Sequence, residues 1–462
     1  MYFLDIYYRR VFYKITIKYM SNTWEVWLWS FGLVWIFGRS LAVVRRKGVL
    51  ILIFTIIYAV LINSSFKQSY LKNRELLLDG TVRYTQTKKY SSEYLIGDTL
   101  LVNKKRNQNI KTGDVLEVFG KEEDMNNMRI KDFDYGRYLK SKGIRRVITM
   151  KKYRIIGVSI FYEKIGDLRQ YIKSTNDYLY KENSGILNAI VIADKSAIDK
   201  KTSYIFMDSG TSHIMAISGL HITIILGIIV LLTGKINSPL KFIAFIFFME
   251  LYSELIGNSP SVRRAVDLFI FSYIGFFIDE RLDILNVLSF IASFMILQNT
   301  YIIYNLSFQL SFISIVSISI LSKYLEKIVY GKVLASSFAI IIGTAPLVLY
   351  IFKEVSFVSF MANIIAIPFT ALIMVFDLIS LFSYFFIPGL SYYISFINNA
   401  CIDFMLLFLK KIGNFGCSNI VVKKIDFKYI IIYYFILISI NIFLYIAMIR
   451  KELYLEKGEK NI

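Results

Sequence analysis

The sequence predicts a polytopic α-helical membrane protein, with about eight to ten spans of which some are broken or re-entrant, and with a small β-barrel inserted among them. Three observations predict this. Hydrophobic residues make up 56% of the 462-residue chain and mean hydropathy is +0.53, against roughly 45–50% apolar residues in soluble domains. Apolar runs near the ~20 residues that cross a bilayer recur along the chain. Residues 64–156 break that pattern with short β-prone runs separated by turn signals.

The elements follow in chain order. A basic arm (Arg9, Arg10, Lys14, Lys18) precedes long apolar runs without a small-residue cleavage site, so it is not read as a signal peptide. Candidate spans are 25–44, 48–63, 212–233, 238–257, 262–278, 284–299, 301–322, 333–352, 355–385 and 428–449. The run 355–385 is too long for one span and contains Pro368, which suggests two half-helices or one span with a re-entrant piece. Residues 389–412 alternate at helical spacing and are expected to lie along the interface. Arg45, Arg46 and Lys47 lie between the first two spans, which places that loop in the cytoplasm and 64–156 outside. The basic arm would then also be external and argues the other way, unless it rests on the membrane as an amphipathic helix. The expected divisions are 1–63, an arm with two spans; 64–156, the extracytoplasmic β domain; 157–185, an amphipathic linker; 186–450, the polytopic membrane domain; and 451–462, a polar tail.

Within 64–156 the runs LLLDGTVRY, EYLIGDTLLV, IKTGDVLEVFG and GIRRVITMKKYRII are punctuated by Asp79-Gly80, Gly97-Asp98 and Gly113-Asp114. About five short strands in this length fit a small barrel of OB type. The stretch holds 21 Lys/Arg against 11 Asp/Glu, a net of +10, half of the chain's +20 in about a fifth of its length. Charges that merely set topology would sit in short loops at the membrane ends. Concentration in one domain instead suits an anionic partner, nucleic acid or anionic lipid. The two cysteines, Cys401 and Cys417, lie outside this domain, so no disulfide framework supports it. With two histidines, His213 and His221, a His-rich metal site is excluded, and no cofactor is expected.

Four polar motifs interrupt the apolar segments. Thr211–His221 (TSHIMAISGLH) sets Ser218, Gly219 and His221 at a break, tolerated only where backbone is buried in protein or faces water. His213, eight residues before His221, would share its face if the segment were helical. Small-residue packing with two hydrogen-bonded histidines explains the motif equally. Ile256–Asp267 (IGNSPSVRRAVD) ends one helix at Asn258 and starts the next at Pro260. Arg263 and Arg264 then sit at the unfavourable, positive end of a helix dipole, with Asp267 one turn on as a partner, or with a passing polyanion. Snorkelling at a membrane face is the plainer account. Asn305–Ser311 (NLSFQLS) places Gln309 inside an apolar run, as an interhelical hydrogen bond would. Gly343–Pro346 (GTAP) and Ala362–Pro368 (ANIIAIP) put prolines in apolar helices, and Asn363 would bond the freed carbonyls.

The order and spacing of these motifs resemble the ComEC family of competence proteins, membrane channels for imported DNA. The resemblance rests on ILNAIVIADKSAIDKKTSYIFMDSGTSHIMAISGLHITIILG at 186–227, GNSPSVRRA at 257–265, NLSFQLSF at 305–312 and APLVLYIFKEVSFVSFMANIIAIP at 345–368. FDYGRYLKSKGI at 133–144 resembles part of the family's extracytoplasmic OB-like domain. The resemblance implies a multi-pass pore in the bacterial cytoplasmic (inner) membrane that passes single-stranded DNA in natural transformation. It implies as partners single-stranded DNA, membrane lipids, a DNA receptor, a separate nuclease, a cytoplasmic motor ATPase and a homo-oligomeric assembly. The family's metallo-β-lactamase-like domain has no counterpart in this sequence, which carries no HxHxDH pattern and continues past residue 449 only as RKELYLEKGEKNI, so no enzymatic activity is expected.

On this reading Ser218, Gly219, His221, Asn258, Pro260, Arg263, Arg264, Gln309 and Asn363 line the DNA path. Arg83, Lys88, Lys89, Lys104, Lys105, Arg106, Arg145 and Arg146 capture DNA by salt-sensitive phosphate contacts. Tyr84, Tyr90 and Tyr94 are the candidates for base stacking. A small-solute or lipid-precursor transporter would also use broken helices, but leaves the basic barrel unexplained. An intramembrane hydrolase with Ser218 and His221 would lack an orienting acid, and the two residues lie too close in sequence for the required geometry.

Overall fold

A computed structural model describes residues 54–60, 75–87, 91–277 and 284–443, except 106–108, 131–132, 216, 218, 235–237, 258–259, 330, 357, 415–418, 422–425, 427 and 442. The basic arm, the first expected span, the Arg45–Lys47 loop and the tail lie outside the described residues. Of the second span, 54–60 is described, as helix.

Residues 75–158 form a closed barrel of β1 (Glu75–Thr87), β2 (Ser92–Ile96), β3 (Thr99–Asn103), β4 (Asp114–Glu122) and β5 (Arg146–Val158), in the order β1-β2-β3-β5-β4. Only β3 and β5 run parallel, with Thr99 opposite Arg146. This is the five-stranded Greek-key barrel expected from the sequence. Alternation along β2 and β4 turns Tyr94, Ile96, Leu116 and Val118 into a core with Val82, Leu101 and Ile148. Gly97 makes the β2–β3 turn at φ +56°. Asp79-Gly80 is not a turn. Both residues lie within β1, opposite Glu117 and Leu116, and a β-carbon at Gly80 would collide with the Ile96 side chain. The glycine serves the close crossing of β1 and β2. Between β4 and β5 the chain forms α1 (Tyr135–Ser141), capped by Asp134, whose carboxylate accepts from the Arg137 N–H at 2.8 Å.

After the barrel comes α2 (Ile160–Tyr180), an amphipathic helix that buries Ile165, Ile172 and Leu179 at heptad spacing. Then come α3 (Ser184–Ile192), all of it buried, and α4 (Lys200–Asp208), capped by Asp199. A 3-10 turn at Ser212–Met215 leads to α5 (Gly219–Thr233), α6 (Pro239–Leu255), α7 (Pro260–Phe277), α8 (Ile284–Gln298), α9 (Leu306–Leu325), α10 (Lys332–Phe352), α11 (Ser359–Phe386), α12 (Pro388–Gly413) and α13 (Lys428–Asn441). Among the described residues, four helices are long and apolar enough to cross a membrane: α9, Leu334–Phe352 of α10, α11 and α12. Gly219–Leu231, α8 and α13 are shorter apolar helices.

Among the described residues, contacts group 54–60 with those of 271–303, and those of 75–270 with those of 304–443. In the first group the Thr55 hydroxyl donates to Ser293 at 3.2 Å. In the second, α2, α3 and α4 share one apolar core with α11 and α12.

Two expectations are corrected. The run 355–385 is neither two half-helices nor a re-entrant piece; α11 is one continuous helix of 28 residues with Pro368 inside it. A proline withdraws a single donor, and packing along the rest of the helix keeps it intact. Residues 389–412 do not lie apart as an interfacial helix. They form α12, which turns back at Ile387 and packs along α11 through Ser391, Ser395 and Asn398. Small and polar residues let the two backbones approach, and the Ser391 hydroxyl donates to the Ser380 carbonyl at 2.9 Å.

Candidate functional site

The helix break in TSHIMAISGLH is present: α5 begins at Gly219, after the 3-10 turn that carries His213. His213 and His221 therefore do not share a helix face. His213 lies on the turn's exposed side, whereas His221 is fully buried. Ser218 lies outside the described residues. A β-carbon at Gly219 would sit 3.8 Å from that of Ala265, an ordinary contact, so α5 and α7 are close neighbours without demanding a glycine.

Arg263 and Arg264 leave α7 in different directions. The Arg263 guanidinium bridges two carboxylates, with Nη1 3.1 Å from Glu250 on α6 and Nε 3.5 Å from Asp267 one turn on. Asp267 was expected as a partner; Glu250 was not, because no local spacing points to another helix. Arg264 is buried, donates to the Ser307 carbonyl at 3.4 Å and lies 5.5 Å over the Phe312 ring. It thus ties the IGNSPSVRRAVD motif to NLSFQLS. Asn258 lies outside the described residues, and Pro260 opens α7. Gln309 is half-buried on α9. Asn305 caps α9 at the Phe308 N–H (3.2 Å) and donates to the Ser141 hydroxyl of α1 at 3.3 Å, so NLSFQLS also meets FDYGRYLKSKGI.

The proline break at GTAP is repaired from another helix. Pro346 cannot donate to the Ile342 carbonyl. The Tyr433 hydroxyl of α13 donates there at 2.9 Å, and Tyr434 donates to the Gly343 carbonyl at 2.8 Å. Asn363, expected in that role, is half-buried on α11, and its Oδ1 accepts no hydrogen bond.

On the barrel, Thr87, Ser92 and Asn103 pair in register, so the β1–β2 connection springs from the end of the barrel where β3 finishes. Lys104 and Lys105 are exposed at that end. Lys88, Lys89, Tyr90 and Arg106 lie outside the described residues. Arg145 and Arg146 are exposed at the opposite end of the β3–β5 pair, roughly 15 Å away at ~3.3 Å per residue. Arg145 Nε also lies 3.6 Å from Asp98. The described capture residues, Arg83, Lys104, Lys105, Arg145 and Arg146, do not form one cluster. Arg83 is half-buried and lies 5.7 Å over the Tyr162 ring of α2.

Two of the stacking candidates are engaged elsewhere. Tyr94 is 2% exposed in the barrel core, and burial raises its phenol pKa. Tyr84 accepts from Arg169 Nη2 at 3.1 Å and is stacked by that guanidinium at 4.6 Å. Arg169 also donates to the Leu255 carbonyl at 2.7 Å, which makes the pair a clasp between barrel and helices. The exposed run Lys152-Tyr153-Arg154 on β5 is what sequence reasoning passed over. Its signal was present in MKKYRII, where basic residues flank an aromatic.

The chain matches the Competence protein family over residues 190–447. It is 26% identical over 267 residues to ComE operon protein 3 of Bacillus subtilis, covering 56% of this chain and 34% of that protein. It is 25% identical over 268 residues to Recombination protein 2 of Haemophilus influenzae, covering 53% and 33% respectively. An uncharacterized protein of Aquifex aeolicus is 24% identical over 324 residues, 68% of this chain and 71% of that one. The matched region spans about a third of the first two relatives. No solved structure matches the chain. The family match takes in every interrupted helix from the TSHIMAISGLH motif to α13, and the chain belongs to the Competence protein family.

Proposed function

We propose that this protein carries single-stranded DNA across the bacterial cytoplasmic membrane during natural transformation, with the barrel as the capture module and the 186–450 helices as the path. The observation that carries the reading is a barrel of OB strand order within a stretch of net charge +10, in a chain of the Competence protein family. Barrels of this order bind oligonucleotides on the β2–β3 face and the adjoining loops. Lys104 and Lys105, with Lys88 and Lys89 on the β1–β2 connection, supply phosphate contacts, and Lys152-Tyr153-Arg154 adds charge around an exposed ring. Arg145 and Arg146 extend the basic surface to the far end of the barrel.

Ser218, Gly219, His221, Asn258, Pro260, Arg264, Gln309 and Asn363 belong to the path on this reading, while Arg263 holds it together. A surface receptor, a nuclease and a cytoplasmic ATPase act before and after this step. The test uses the full chain in nanodiscs and a labelled oligonucleotide, titrated with salt. Affinity is expected to fall steeply with salt, by roughly 0.7 log units per log unit for each phosphate neutralised. Gln at Lys104, Lys105, Lys152 and Arg154 together should flatten that slope. Salt-independent binding, or a slope unchanged in the variant, would refute capture by this surface.

A further inference from the structure

Helix α11 carries one charged residue in 28, Asp377, and that residue is fully buried. Neither carboxylate oxygen has a donor in full hydrogen-bonding geometry, although Asn176 and Tyr180 stand close enough to favour its charge, and no charged side chain among the described residues acts on it. An ionisable group placed so in an apolar helix is costly unless something neutralises it.

The surroundings come from three other helices. Asn176 and Tyr180 of α2 stand beside the carboxyl group, with Asn188 of α3 and Asn398 of α12 behind them, all 2% exposed or less. Their amides are oriented by Asp177. Its carboxylate only accepts, so Asn188 gives it an N–H at 3.1 Å and takes one from Asn176 at 3.2 Å. Asn398 donates to the Tyr180 hydroxyl at 3.2 Å and to the Ile373 carbonyl at 3.1 Å, and Tyr180 donates to Ser380 at 3.0 Å. In this arrangement the Tyr180 hydrogen goes to Ser380 and one Asn176 N–H to Asn188, with both groups standing beside Asp377. Both Asp377 oxygens, Asn176 Oδ1 and Asn398 Oδ1 remain buried acceptors without a hydrogen. Tyr180 is the titratable group beside the carboxyl, and Asp177 stands two amides away.

Oxygen acceptors around a single negative charge define the chemistry of what belongs there: a hard cation of charge one. We propose that Asp377, with Asn176, Tyr180 and Asn398, forms a buried site for a small monovalent cation, a proton or a sodium ion, drawn from the aqueous phase. A divalent ion would leave a net positive charge in a buried place, and no cluster of three or more His, Cys, Asp or Glu occurs among the described residues. The site uses no residue assigned to DNA, so it stands or falls separately from the transport reading.

The test takes the full chain in nanodiscs, without DNA, and makes two measurements. One is binding of radioactive sodium by scintillation proximity. The other is the infrared carbonyl band of a protonated carboxylic acid, in the difference between wild type and Asp377→Asn. Saturable sodium binding that falls as pH drops, and is lost in Asp377→Asn, assigns sodium. A carboxylic-acid band at neutral pH without sodium binding, removed by the same substitution, assigns the proton. The absence of both sodium binding and such a band would overturn the proposal. Tyr180→Phe keeps the ring and covers a failure of the Asn variant to fold. It should weaken sodium binding at least roughly tenfold or shift the band, and an unchanged result on both would count against the site.

Discussion

Replacing Arg263 with Gln removes the one cation between Glu250 and Asp267. The three side chains are 22%, 32% and 8% exposed, so the two carboxylates would face each other in a mostly buried place. Breaking a buried ion pair costs ~3–5 kcal/mol. Glu250 keeps nearly a third of its surface accessible, which screens it and places the expected loss near the lower end, about 3 kcal/mol. That loss lowers the folded-to-unfolded ratio roughly a hundredfold. Thermal unfolding of the detergent-solubilised full chain, followed by loss of its monodisperse elution peak, reads the change directly. The triple variant Arg263→Gln, Glu250→Gln, Asp267→Asn removes all three charges and should recover to within about 1 kcal/mol of wild type. DNA internalisation is then measured at matched protein level. If Arg263 is a clamp, uptake recovers together with stability. Recovery of stability without uptake would give Arg263 a direct contact with the polyanion, and an Arg263→Gln protein as stable as wild type would refute the network.

Three further predictions follow from the same kind of accounting. Tyr433→Phe leaves the Ile342 carbonyl without its donor and should cost about 1–2 kcal/mol; the cost should vanish in a Pro346→Ala background, where the helix N–H returns, and persistence there would show that Tyr433 acts otherwise. A β-carbon at Gly343 would collide with the Ser317 hydroxyl of α9, so Gly343→Ala should destabilise by about 1–3 kcal/mol and be partly rescued by Ser317→Gly. Burial would raise the pKa of Asp194, but hydrogen bonds from Lys173 (2.6 Å) and Ser196 outweigh it and hold the group below its ordinary value. Its contribution is therefore present above about pH 4 and lost as pH falls through the folded value, so Asp194→Asn should cost about 1–2 kcal/mol at pH 7 and progressively less as pH falls below about 4. A cost that stays the same across that range would refute that assignment.

The barrel was legible because its signals are local. Alternation with period two, with the Gly97-Asp98 turn, defines β2 and β3 without reference to the rest of the chain. Asp79-Gly80 misled for the complementary reason: the same dipeptide carries a turn signal, but the glycine answers to Ile96 on the neighbouring strand. Tyr94 was misjudged because alternation separates two faces without saying which is inner; that depends on register with β1 and β3. Among the membrane motifs, Arg263–Asp267 was readable as an i,i+4 pair, whereas Glu250, Tyr433 and Ser307 come from other helices. Asp377 did have a sequence signal, a lone acid in a long apolar run, but its amide surroundings assemble only when α2, α3 and α12 meet α11.

The fate of each polar group inside the helices bears on how DNA would be attracted. Of the two cations expected to contact the strand, Arg263 bridges Glu250 and Asp267, and Arg264 is buried against the Ser307 carbonyl and the Phe312 ring, so both are engaged within the helices. The carbonyl freed by Pro346 is taken by Tyr433. On the proposed transport reading, guanidinium groups engaged in this way offer a polyanion little electrostatic gain. On that reading the attraction comes from the barrel, which lies in a stretch of net charge +10, and the helices let a captured strand pass. This division yields one more expectation: neutralising the basic barrel surface should reduce uptake in a salt-dependent way, whereas the triple-neutral variant at Arg263 should leave the salt dependence of uptake unchanged. A triple-neutral protein that folds normally but loses that salt dependence would place the electrostatic capture in the membrane path and not on the barrel.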